Sequence, residues 1–407
     1  MTGIDRDFVR HQFPAFSEPS LQGQAHFENA GGSYACQPVI DRLCNYYRRN
    51  KVQPYYAFES SRLAGDMMDA ALVRLGEYLN LDANDVHLGP STSQNTSMLA
   101  QAFRKVLKPG DEIIVTNQDH EANIGVWRKL GEEGIIIREW RIDPDSGQLN
   151  LDDLDNLFND STKLLAFCHC SNVIAHINPV AEICAKARAA SVITVVDGVS
   201  YCGHGLPDVK ALGADIYLFS LYKVYGPHQG VMTITPAVAE LMGNQGHFFN
   251  KGVTHKQFLP AGPDHAQVAA TTGVLEYFDQ LAEHHQLDKH NRPRAVAKLL
   301  RDAELELLPP VLDFLEQRKN VRLLGPADAN IRAATVSCVS RGQDADALAQ
   351  ALAQLGIMAG SGHFYGYRQI KALGEDPNRG ALRLSFVHYT TGVEIDQLLE
   401  ALDQVLT

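Results

Sequence analysis

The sequence predicts an α/β fold: a mostly parallel sheet covered by helices, followed by a smaller α+β domain. Three observations carry this. From Val86 to about residue 235, short apolar or β-branched runs alternate with helical patterns, as parallel strands joined by crossover helices do. After Pro310 strands and helices still mix, but strict alternation is lost. Thr92, Ser93, His120, Asn172, Asp197, Ser220 and Lys223 all fall at carboxyl ends of expected strands, where open parallel sheets bind ligands.

Taken in order, residues 4–13 carry Ile4, Phe8, Val9 and Phe13 at helical spacing, and Pro14 stops that N-terminal arm. Residues 25–28 form a short strand into Asn29-Ala30-Gly31-Gly32, whose glycines permit close backbone approach, to a ligand or simply in a turn. Pro38 opens a helix to about residue 49. The next helix, 60–80, aligns Leu63, Met67, Ala71, Leu75 and Leu79 on one expected core face. Strands follow at 86–88, 113–116, 135–140, 164–168, 192–196 and 216–219, with helices between them. Residues 243–263 read as a long loop, and helical patterns cover 264–282 and about 286–318. Strands at 321–324, 333–339 and 382–386 are separated by a helix at 344–355 and capped by one at 393–406.

The chain has 407 residues, 45% hydrophobic and 21% charged, with a formal charge of −12 and no basic stripe. That argues against nucleic acid or a membrane surface as a partner. No apolar run approaches membrane-span length, and the first residues are too polar for a signal peptide. Seven scattered cysteines suggest reduced thiols and a cytoplasmic location. Cys168-His169-Cys170 with His176 lacks a second pair at structural-zinc spacing, so no metal is expected. His284, His285 and His290 read as solvated helix surface.

Lys223 stands just beyond the apolar run 216–219, where desolvation disfavours a charged amine. It is either a snorkelling side chain or a nucleophile toward an aldehyde such as pyridoxal phosphate. Asp197 ends the preceding strand in an Asp-Gly pair. It is either a turn former or the carboxylate that keeps a pyridine nitrogen protonated. Ser91, Thr92 and Ser93 open a helix whose free amides suit a phosphate as well as an ordinary cap. His120 could lie flat on a planar ring or be structural, and Ser220 and Tyr222 flank the lysine. Arg383, inside an apolar strand, needs an anion: a bidentate substrate carboxylate, or a buried acid not evident from sequence.

With these residues placed, the chain resembles fold-type I pyridoxal-phosphate enzymes, and more narrowly class V aminotransferases of the cysteine desulfurase branch. The resemblance rests on Phe27-Glu28-Asn29-Ala30-Gly31-Gly32, Asp119-His120-Glu121-Ala122-Asn123, Cys170-Ser171-Asn172-Val173, Val195-Val196-Asp197-Gly198-Val199-Ser200, the segment 219–227 around Lys223, and Leu382-Arg383-Leu384-Ser385-Phe386. It implies pyridoxal 5'-phosphate as cofactor, with Lys223 its covalent anchor, Asp197 on the ring nitrogen and His120 stacked on the ring. Asn172 and Ser200 would lie near the ring, and Thr92, Ser93, Ser220 and Tyr222 near the phosphate. Arg383 would hold the substrate carboxylate, with Asn29, Ala30 and Gly31 on the substrate side. It further implies a homodimer, acting on a small amino acid, with sites at the subunit interface.

The chain departs from that pattern at three points. Tyr222 stands where relatives carry His, Pro263 where they often carry a phosphate-reaching Thr, and residues 358–365 lack the desulfurase cysteine. Ser361, His363 and Tyr365 are the polar groups there; only Cys36, Cys168, Cys170 or Cys202 could substitute, and a serine or phenol cannot carry a persulfide. The expectation is therefore a transaminase. A C–S β-elimination lyase, a true desulfurase and a non-catalytic cofactor-binding protein are the alternatives. The expected division is a large cofactor-binding domain, 21–283, and a small domain formed by 1–20 with 284–407.

Overall fold

The computed structural model describes residues 3–253 and 256–406. A seven-stranded sheet occupies the first half. Its strands are β2 (Val86–Gly89), β3 (Glu112–Thr116), β4 (Ile136–Trp140), β5 (Thr162–Cys168), β6 (Ile193–Asp197), β7 (Ile216–Ser220) and β8 (Gly230–Ile234), in the order β2-β8-β7-β6-β5-β3-β4. Strands β3 to β7 pair in parallel, and β8 runs antiparallel between β2 and β7. Every residue of β7 and β8 is buried, because helices cover both faces. On one face Ile113, Val115, Leu164, Val195, Ile216 and Leu218 meet Leu99, Phe103, Ile124 and Trp127. On the other, Ile114, Leu165, Phe167, Val196, Tyr217 and Phe219 meet Leu75, Ile183 and Val274.

A five-stranded sheet has the order β1-β11-β12-β10-β9. Here β1 is Ala25–Phe27, β9 Val321–Leu324, β10 Thr335–Ser340, β11 Ile357–Gly362 and β12 Ala381–Ser385. Only β1 and β11 pair in parallel; the remaining pairs are antiparallel. A third core cluster, with Phe27, Leu312, Val336, Leu384 and Leu398, fills the space behind this sheet.

Strands β8 and β11 form where the sequence pattern assigns no element, and other readings change. In the helix Glu59–Leu79 the core stripe is Ala64, Met68, Ala71, Leu75 and Leu79, while Leu63 is 40% exposed. The helix expected at about 286–318 forms as Arg292–Glu316 and runs through Pro309 and Pro310 with Leu307, Leu308, Val311 and Leu312 buried. The pattern at 264–282 forms two helices, His265–Ala270 and Thr272–His284. His284 and His290 are exposed as expected, His290 in a 3-10 turn; His284 also stacks on Phe8 at 3.8 Å with its Nε2 3.0 Å from Asp5 Oδ2, and Asp5 N donates to Nε2 of the half-buried His285.

Candidate active site

The site forms where β2, β3, β5, β6 and β7 end, facing β11 and β12 of the second sheet. Helix α1 of the site, Thr92–Phe103, follows β2 at once and is capped by Ser91, whose Oγ accepts from Gln94 N. Gly230 at the start of β8 lets this helix touch the sheet. A Cβ there would lie 2.4 Å from Ser91 C and 2.5 Å from Thr92 N. The Thr92 and Ser93 amides have no intrahelical acceptor and face the open end. Thr92 Oγ1 and Ser220 Oγ lie 2.8 Å apart, both buried. Tyr222 bonds Ser220 and stacks on His228, while the Ser93 side chain is exposed.

Lys223 is half-buried in a 3-10 turn after β7. Burial first, then the Arg383 charge, lowers its amine to about 8, against Asp197 and Glu28. Asp197, at the end of β6, accepts from Val199 N at 2.8 Å; burial pushes its carboxyl up to about 6, against Val199 and Lys223. His120 caps helix α2, Glu121–Arg128, its Nδ1 accepting from Ala122 N at 3.0 Å. Burial, Lys223 and Arg383 lower its pKa to about 4, so the ring is neutral near pH 7 with its proton on Nε2. Asp119 fixes this corner through Thr116 Oγ1 and Asn123 Nδ2.

Arg383 is 4% exposed, on β12. Its Nη2 meets Glu28 Oε1 at 2.6 Å, and its Nη1 donates to Asn172 O at 3.2 Å. Phe364 lies flat under it, 3.9 Å from Cζ to ring centroid. The ion-pair reading left open by the sequence is thus met by Glu28. Asn172 Nδ2 donates to Phe364 O at 2.7 Å, and the Tyr365 ring lies 5.0 Å from that of His120. Ser200, Asn29, Ala30 and Lys223 line one small cavity. Asn29 offers no free side-chain group: its Nδ2 donates to Ser385 O and His26 O, and its Oδ1 accepts from Tyr389. Gly31 sits against the Glu28 carboxylate.

Glu28, Phe364 and Asp119 are the neighbours that the reading of single residues passed over; Tyr365 was named only as a polar group of residues 358–365. Glu28 stands in the Phe27–Gly32 motif, but an acid beside a Gly-Gly turn carries no signal of its own. Nothing in residues 358–365 marks two consecutive aromatics as the wall of a site.

A family model described as aminotransferase class-V matches residues 25–398. The chain belongs to the class-V aminotransferase family. Among curated relatives, the aminotransferase-like protein FGM3 of Gibberella zeae is 30% identical over 98% of each chain. A cysteine desulfurase of Serratia proteamaculans is 29% identical over 98% of this chain and 97% of its own. Among solved structures, the apo cysteine desulfurase of Thermococcus onnurineus NA1 superimposes with a TM-score of 0.87 at 21% identity, covering 100% of this chain and 99% of the other. The cysteine desulfurase CsdA of Escherichia coli gives 0.84 at 23%, with the same coverage. These two likenesses establish the fold.

Class-V aminotransferases depend on pyridoxal phosphate, and this chain's residues fit that group. An amine brought down to about 8 stands beside a buried carboxylate. A helix N-terminus abuts two buried hydroxyls. Arg383 Nε is buried without a hydrogen-bond partner among the described residues, as a site for an anionic ligand would have it. Among the described residues, no helix is long and apolar enough to cross a membrane.

Proposed function

We propose that this class-V enzyme transaminates a small amino acid, as a cytoplasmic homodimer. One observation carries the choice among the family's reactions. The segment facing Arg383 and His120 presents Phe364 and Tyr365 and no cysteine, and the four thiols that the sequence offers as substitutes are buried. Cys36, Cys168, Cys170 and Cys202 are all buried. Burial raises Cys36 and Cys170 to about 12, and Cys168 and Cys202 well above their usual range. Such thiols are not nucleophiles near pH 7.

Bound pyridoxal phosphate supplies the electron sink for the pair released at the substrate's α-carbon. Lys223 Nζ, neutral in an appreciable fraction at pH 7–8, would anchor the cofactor and move the α-proton. Asp197 would hold the ring nitrogen protonated, and neutral His120 would cover the ring face without adding charge. Thr92, Ser93, Ser220 and Tyr222 would take the phosphate with the first amides of α1. Asn172 and Ser200 would lie beside the ring, with Asn29, Ala30, Gly31 and Arg383 on the substrate side. Phe248 and Phe249, 88% and 68% exposed in the loop 243–263, support the dimer, since isolated subunits seldom expose adjacent aromatics to water. Residues 254 and 255 of that loop lie outside the described residues.

The deciding experiment follows the cofactor spectrum over an amino-acid panel, with a keto-acid acceptor present. Keto-acid formation from one small amino acid is expected. Stoichiometric alanine and enzyme-bound persulfide from cysteine would overturn the reading in favour of desulfuration. Pyruvate, ammonia and sulfide as the only products would favour C–S elimination.

A further inference from the structure

The Glu28–Arg383 pair puts a carboxylate on the guanidinium that the proposed function assigns to the substrate. We propose that Glu28 is a resident competitor: it occupies Arg383 in the substrate-free protein and is exchanged for the carboxylate of the incoming amino acid. The inference rests on the reading of Arg383 as the carboxylate clamp.

The geometry gives each part of the exchange a cause. Arg383 is 4% exposed, and a buried guanidinium left without an anion is strongly unfavourable. Glu28 supplies that anion, Oε1 to Nη2 at 2.6 Å, while its own side chain remains 32% exposed. It therefore has a path into water that Arg383 lacks. The Glu28 backbone is pinned by a bridge to Ser385, so only the side chain need turn. Nη1 is held by Asn172 O, and the guanidinium face is covered by Phe364. The edge left for a bidentate carboxylate is Nη2 with Nε. Among the described residues Nε has no hydrogen-bond partner, and Nη2 carries Glu28. Two glycines make the room: a Cβ on Gly31 would fall 1.9 Å from Glu28 Oε2, and one on Gly360 3.0 Å from Oε1. Gly360 is the strand partner of Arg383 itself. The pocket is thus shaped for a carboxylate at this edge, and either Glu28 or the ligand can provide it.

The test uses the holoenzyme and propionate, a carboxylate without the amine needed to react with the cofactor. Titration calorimetry should show propionate binding about tenfold more tightly to Glu28→Gln than to the wild type, since a neutral amide competes poorly for a guanidinium. Arg383→Lys should lose the binding. Unchanged or weaker affinity in Glu28→Gln, with dependence on Arg383 retained, would sink the exchange alone. Propionate binding indifferent to Arg383 would remove the clamp reading as well. Turnover is not measured, so a protein that fails as a transaminase leaves the result readable. Should Glu28→Gln not fold, a crystal of wild-type holoenzyme with propionate decides. Propionate on Nη2 and Nε with Glu28 turned away supports exchange; an intact Glu28–Arg383 pair beside bound propionate overturns it.

Discussion

Lys223 shows how folding prepares a single side chain. Its lowered pKa of about 8 comes from burial and Arg383, and only the neutral amine attacks an aldehyde. Below that pH the neutral fraction falls about tenfold per unit, so the rate of reconstituting cofactor-free protein with pyridoxal phosphate should rise about tenfold per unit and level off above pH 8. Stopped-flow absorbance checks this; a flat profile from pH 6 to 9 would contradict it. Lys223→Ala should lose the yellow band of the wild-type holoenzyme. Asp197→Asn should retain cofactor yet lose turnover on the order of a hundredfold or more, because the ring nitrogen no longer stays protonated. Near-wild-type rates would take Asp197 out of the site. Lys223 and Asp197 were readable because a charged group at the end of an apolar strand breaks the local pattern. Glu28 was not: an acid before a Gly-Gly turn is unremarkable until Arg383, 355 positions away, is folded against it.

Secondary-structure elements divide along the same line. The parallel strands β3, β5, β6 and β7 were legible because both faces are buried, giving near-continuous apolar runs between helices. Strand β8 escaped because it follows the lysine turn with no helix before it, and β11 because Met358-Ala359-Gly360-Ser361-Gly362 has few strand formers. Both matter to the site. Gly230 opens β8 where Ser91 and Thr92 press on it, so Gly230→Ala must push the helix N-terminus outward. It should cost about 1–3 kcal/mol of stability and weaken cofactor binding further than the melting temperature alone would suggest. Parallel thermal melts and cofactor titrations would test this. Unchanged cofactor affinity would mean that the first amides of α1 do not hold the phosphate.

At the scale of the whole molecule, two sheets close on one another, and light scattering should give twice the 44.8 kDa chain mass for the active protein. A fully active monomer would refute the proposed dimer. The second sheet also has a consequence in time. Strand β1 comes early in the chain but has no partner until β11, Ile357–Gly362, exists; Ala25 pairs with Ile357. On a ribosome, the seven-stranded sheet ends at Ile234 and can assemble while the second half is still being made. Residues 25–28 must wait, an unpaired strand edge, until nearly the whole chain has emerged. The nascent chain should therefore expose a cleavable N-terminal segment long after its middle has become protease-resistant. Glu28 and the arginine it pairs with, Arg383, would meet only as synthesis ends.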